Sequence, residues 1–199
     1  MIRIAEQRRH ACSPFDAKMK RWNKKTGRYE RFSPGERDYP ALPSRLAQQA
    51  VAIPTTHFAG LTYCPCAAEL TDRSELPCVY LVEASAYIKV WGIWPDQDEG
   101  KREVGIADVV AVRESPFRLP ARFAQELYDA GESGMGYVGY EIEFTDGTRQ
   151  AYLTGNGLDF VELPQGKGVG DIVKAWPHEG LRNAPRQTPD FVWCLYGKK

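Results

Sequence analysis

A chain of 199 residues, 43% hydrophobic and 26% charged, has the length for one domain with an appendage and for a core that holds without staples. No apolar run approaches the ~20 residues that cross a bilayer, and "MIRIAEQRRHACSPFD" lacks the apolar segment of a secretory signal. A soluble protein is therefore expected, with the five cysteines as free or metal-bound thiols in a reducing cytoplasm. The 26 basic and 26 acidic residues cancel, but unevenly. Residues 1–37 hold eleven Lys/Arg against four acids, a net +7 balanced by −7 in the rest.

In chain order, "KMKRWNKKTGRYERF" (18–32) places aromatic and basic residues on both sides of the turn-forming "NKKTG", which predicts a short basic hairpin. "SPGERDYPALP" reads as a linker. The expected domains are a basic N-terminal arm over 1–37 and one globular domain over 38–199. Ser44 is placed to cap a short helix with Leu46, Ala50 and Ile53 on one side. "CVYLVEAS" and "AYIKVWGIW" read as two strands joined by a tight turn, and "IADVVAVRE" as a third. "LPARFAQELYDAGESG" predicts a helix with Pro120 at its start, Phe123 and Leu127 one turn apart, and Gly131 as its stop.

Asp146-Gly147 lies between alternating segments and predicts a two-residue hairpin turn. In that register Ile142 faces Ala151 and Tyr140 faces Leu153, with Leu153 on the buried side and Glu141 and Glu143 on the other. Asn156-Gly157 offers a second turn and so a three-stranded meander, and "DIVKAWP" a last strand. The fold class expected is α+β: a mainly antiparallel, twisted sheet or half-barrel with one or two helices.

Chemistry concentrates in two places. His57, Cys64, Cys66 and Cys78 run H-x6-C-x-C-x11-C. Zinc takes four N/S ligands, so these four are the metal candidates and zinc the one cofactor candidate, although C-x-C is tighter than the usual chelating pair. The same sulfurs also read as core packing, or as a Cys64 or Cys66 nucleophile paired with His57. The second place is Lys18, Lys20, Arg21, Trp22, Lys24, Lys25, Arg28 and Tyr29, where cations for phosphates alternate with aromatics for bases. Glycine-rich "GESGMGYVGY" and "QGKGVGD" lack the strand–loop–helix order or the Ser/Thr of a phosphate loop. Glu141 and Glu143 read as solvated carboxylates and His178 as a lone turn histidine.

No catalytic set emerges. The sequence favours a soluble binding or accessory module that contacts nucleic acid through its basic arm. The rival class is a zinc- or thiol-dependent enzyme acting from 57–78. The third is a protein-binding inhibitor or immunity-type protein, whose acidic 96–146 segment (twelve acids, five bases) meets a basic protein partner.

Overall fold

The computed structural model describes residues 19–23, 26–134, 136–155, 157–178 and 186–198, and the chain divides after Glu36 into two compact units. In the first, β1 (Met19–Asn23) and β2 (Arg28–Phe32) pair only with each other, antiparallel, from Met19↔Phe32 to Asn23↔Arg28. Gly27 supplies the positive φ of +63° that the turn requires. Thr26 donates to Glu30 at 2.8 Å.

The second unit is α+β. Its elements are α1 (Ser44–Val51), β3 (Thr56–Phe58), β4 (Leu61–Leu70), β5 (Glu75–Glu83), α2 (Ala84–Trp91), β6 (Val109–Glu114), α3 (Ala121–Ala130), β7 (Val138–Phe144), β8 (Arg149–Thr154), β9 (Ile172–Pro177), β10 (Arg186–Gln187) and β11 (Val192–Tyr196). One sheet runs β11-β5-β4-β3, with β6 also on β4; the other runs β10-β8-β7-β9. Pairing is antiparallel except β11 on β5 and β10 on β8. Among the described residues no helix is long and apolar enough to cross a membrane.

Alternation along the strands builds two cores. Tyr63, Cys78, Tyr80, Val82 and Trp193 join the inner residues Tyr140, Ile142, Phe144 and Tyr152 of the second sheet, together with Tyr87 of α2 and Phe123 and Leu127 of α3. The opposite face of the first sheet presents Cys64, Cys66, Ala68, Val79, Leu81 and Cys194, covered by Leu46 of α1, Ile53 and Ile106. β4 serves both cores and changes partner along one edge, from β3 at Leu61–Tyr63 to β6 at Cys66–Leu70. Pro65, with no N–H to give, sits in the gap between those two ladders, where a central strand tolerates it. The outer edge of β11 is closed by the chain itself: Trp193 N donates to Arg102 O, Val104 N to Trp193 O and Gly197 N to Pro40 O.

Four sequence expectations need correction. "AYIKVWGIW" is not a strand: Ala84–Trp91 form α2, with Ala84, Tyr87 and Ile88 buried at i, i+3 and i+4, and Gly92 (φ +65°) ending the helix. The 3.6-residue spacing of large side chains outweighs the β-propensity of Ile88 and Val90. α1 starts on Pro43, whose carbonyl accepts from Ala47 N at 2.9 Å; Ser44 is the first helical residue, so the cap position falls to Pro43. The β7–β8 hairpin is displaced by one residue, with Ile142↔Gln150, Tyr140↔Tyr152 and Glu141↔Ala151. Its loop has three residues, Thr145–Gly147, because Phe144 N bonds to Thr148 O and Gly147 alone adopts positive φ (+79°). Tyr152 therefore enters the core beside Tyr140, stacked at 5.4 Å, while Leu153 turns to the outer face with Glu141 and Glu143. Finally, no meander follows Asn156, which lies outside the described residues. Residues 157–163 run as loop, touching Arg118 through one bridge at Phe160, and β9 takes the far side of β7.

Candidate functional site

The basic arm supplies a ribbon. In a strand, residues two apart share a face, so the register puts positions 20, 22, 29 and 31 on one side: Lys20 opposite Arg31 and Trp22 opposite Tyr29. The other side carries Met19, Arg21, Asn23, Arg28, Glu30 and Phe32. The ribbon's one acid therefore falls on the second side, and the first holds only cations and aromatics. Arg28 is exposed. Lys18, Lys24 and Lys25 lie outside the described residues.

The four zinc candidates do not converge. His57 is exposed on β3, its Nδ1 3.1 Å from Thr62 Oγ1, and its main chain is held by Gln125 of α3, whose Oε1 accepts from His57 N (2.8 Å) and whose Nε2 donates to His57 O (3.0 Å). Cys78 faces the inter-sheet core, whereas Cys64 and Cys66, two residues apart on β4, face the other one. Sheet alternation is the physical reason: Cys66 pairs with Val79, so Cys78 points the opposite way. Among the described residues no group of three or more His, Cys, Asp or Glu is arranged to hold a metal. Burial pushes the Cys78 thiol up to about 11 and the Cys194 thiol up to about 12. Cys64 is held below the ordinary thiol value, chiefly by a hydrogen bond from Cys66, whose own thiol is pushed well above it.

A buried polar cluster was not legible in the sequence. Asp159 is fully buried and forms an ion pair with Arg118, which is 3% exposed. Thr56 Oγ1 donates to Asp159 Oδ1 at 2.9 Å and Tyr128 OH to Oδ2 at 2.8 Å, while Asp159 N donates to Tyr80 OH at 3.2 Å. Arg118 Nη2 donates to Pro54 O at 3.2 Å. One charge pair thus ties β3, β5, α3 and three loops together. The available signal was a single charge inside an apolar run, in "PFRLP" and "GLDFV".

Among the described residues, two of the cation–aromatic groups gather more than one partner. Lys101 Nζ lies 4.2 Å from the Trp91 ring centre and 2.9 Å from Asp98 Oδ2, walled also by Tyr87 and Trp193. On the outer face of the second sheet, Trp176 lies between Arg149 (5.2 Å) and Lys174 (5.3 Å), and Arg149 pairs with Glu143 at 3.2 Å. Glu143 is therefore partnered on a solvent-facing surface. Within the acidic segment, Asp96 receives both Nη1 (2.8 Å) and Nη2 (3.0 Å) of Arg37. A cleft of about 400 Å³ beside β6 is lined by Gln49, Glu69, Arg73, Glu75 and Arg113, with Arg113 and Glu75 paired to each other. No family model, curated protein or solved structure matches the chain.

Proposed function

We propose that the protein is a binding module whose N-terminal ribbon contacts nucleic acid through the face bearing Lys20, Trp22, Tyr29 and Arg31. The observation that carries this reading is the register itself. It sets Lys20 directly opposite Arg31, a like-charge pairing that costs free energy in a ladder and that a bound phosphate relieves. Trp22 and Tyr29 are the next pair on that face. Cations that follow a phosphate backbone beside aromatics on which bases stack are the elements of single-strand recognition, and every base has a face to stack. The reading implies little sequence preference and a strong dependence on salt.

The test is a fluorescence-anisotropy titration with a single-stranded oligonucleotide and a duplex of equal length, across a salt series. The expected result is tighter binding of the single strand. Lys20→Ser with Arg31→Ser should flatten the log–log salt slope by about 1.4, since each lost phosphate contact removes ~0.7 on single strands. Trp22→Ala should weaken the single strand more than the duplex. Arg21→Ser with Arg28→Ser, on the other face, should do less than Lys20→Ser with Arg31→Ser. Absence of binding at low salt, or equal effects from the two faces, refutes the assignment.

A further inference from the structure

Lys101 is held by three rings and a carboxylate. Its Nζ lies 4.2 Å from the ring centre of Trp91, 5.8 Å from that of Tyr87 and 6.0 Å from that of Trp193. Tyr87 is inclined to Trp193 by 68° and Trp91 to Trp193 by 60°, so the rings meet the cation as separate walls and not as one stack. Asp98 Oδ2 stands at 2.9 Å and Tyr87 OH at 3.4 Å. Tyr87 and Trp193 are fully buried in the inter-sheet core. Trp91, the last residue of α2, is half-buried and forms the outer wall. Burial, with the nearby negative charges of Asp98 and Glu103, pushes the Tyr87 hydroxyl up, so this wall stays neutral and the box lies in a negative field.

A primary ammonium fills such a box poorly. It carries three N–H groups, and among the described residues two oxygens accept from them, one of them at a long 3.4 Å. Trp91 is near contact distance, but the Tyr87 and Trp193 ring centres stand farther from the nitrogen than the roughly 4 Å of atomic contact. Methyl groups on the nitrogen occupy that gap, bring the charge against all three rings and leave no N–H to satisfy. Aromatic walls of this kind recognise quaternary ammonium groups, and Asp98 supplies the counter-charge.

We propose that Tyr87, Trp91, Trp193 and Asp98 form a binding site for a quaternary ammonium group, with Lys101 as its built-in competitor. The main chain that carries Lys101 stays in place during the exchange, because Arg102 O accepts from Trp193 N and Val104 N donates to Trp193 O. Only the lysine side chain, 14% exposed, turns out to water. There its ammonium regains the strong hydration of a compact point charge. A ligand that must displace a resident binds with an affinity reduced by the fraction of time the box stands open. The site therefore selects cations that suit the rings better than a lysine does.

The experiment titrates the isotope-labelled full-length chain with tetramethylammonium chloride at constant ionic strength and follows the indole N–H resonances of Trp91 and Trp193. The wild-type chain should respond, and Lys101→Ala should bind at least ~10-fold more tightly, because the resident cation is gone. The uncharged analogue of choline, with a tert-butyl group in place of the trimethylammonium, should bind neither. Trp91→Ala should lose the response and Trp91→Phe keep part of it, since an indole is the best cation wall. Should Trp91→Ala fail to fold, the charged and uncharged probes on the wild-type chain decide the matter. Choline and a trimethyllysine peptide are then compared: binding of either sustains the site and names its source, and binding of neither overturns it. No response in the wild-type chain, equal binding of the uncharged analogue, or a response confined to Lys101→Ala, which marks a cavity made by the substitution, also overturns it.

Discussion

Replacing Asp159 with alanine should be among the most damaging single changes to this fold. The substitution strands the guanidinium of Arg118, which is 3% exposed and retains only main-chain acceptors, Pro54 O at 3.2 Å and Asp159 O at 3.5 Å. An uncompensated buried charge costs about 3–5 kcal/mol. Thr56 and Tyr128 lose their acceptor as well, at about 1 kcal/mol or more each if unsatisfied, although Tyr128 can turn toward Tyr80 OH, 3.4 Å away. The terms share one site and do not add, so about 4 kcal/mol is expected, a large part of the ~5–15 kcal/mol of a whole domain. The pair as a unit contributes far less, because two desolvation costs offset its attraction. Arg118→Met with Asp159→Leu should therefore lie within about 1.5 kcal/mol of wild type, well below the cost of either Arg118→Met or Asp159→Leu alone. Urea titrations followed by tryptophan fluorescence measure this directly. Trp193 stacks on Tyr80, 5.1 Å between ring centres, and Tyr80 OH in turn accepts from Asp159 N. A cost below 1 kcal/mol for Asp159→Ala, or a double variant as unstable as the sum of the single ones, refutes the reasoning.

Cys78 should contribute to alkaline unfolding. Its folded-state proton is held up to about 11 against an ordinary ~8.5, so the unfolded chain deprotonates first and stability falls as pH rises through that window. Denaturation midpoints measured from pH 8 upward should show a shallower fall in Cys78→Ala than in wild type; parallel slopes would count against it. Gly197→Ala should cost about 2 kcal/mol, because its Cβ would stand 2.2 Å from the backbone oxygen of Tyr39; a neutral effect in thermal melts would show that segment 39–41 yields freely. Gly147→Ala meets nothing within 4 Å and carries only the strain of φ +79°, about 1 kcal/mol, and Gly147→Asn should recover part of it.

The parts of the fold legible in the sequence are those whose signal is local. α3 announces itself through Pro120, the Phe123–Leu127 pair and Gly131, and is found at Ala121–Ala130. The Asp146-Gly147 hairpin is equally plain, but two- and three-residue loops share that dipeptide and differ by one residue of register, which decides whether Tyr152 or Leu153 is buried. α2 is misread because Ile88 and Val90 favour strands while the burial of Tyr87 and Ile88 depends on β4, β5 and β11, distant in sequence. The sulfurs are visible as a cluster, yet their division between two cores follows from the pairing of Cys66 with Val79, which spacing alone does not specify. Arg118 and Asp159 are 41 residues apart and meet only after the loops that carry them have packed.

The placement of β11 bears on how the chain is made. Its residues lie parallel to β5, Val192 beside Val79 and Trp193 beside Tyr80, across more than a hundred intervening positions. Trp193 touches the rings of Tyr63, Tyr80, Tyr87 and Trp91, so the central aromatic assembly lacks its keystone until the strand has been synthesised and threaded in. During translation β4 and β5 emerge early and wait with an open edge. Closure between segments so distant is slow in general and leaves apolar surface exposed meanwhile. A chain truncated before Val192 should be protease-sensitive, and restoring Val192–Tyr196 should convert it cooperatively.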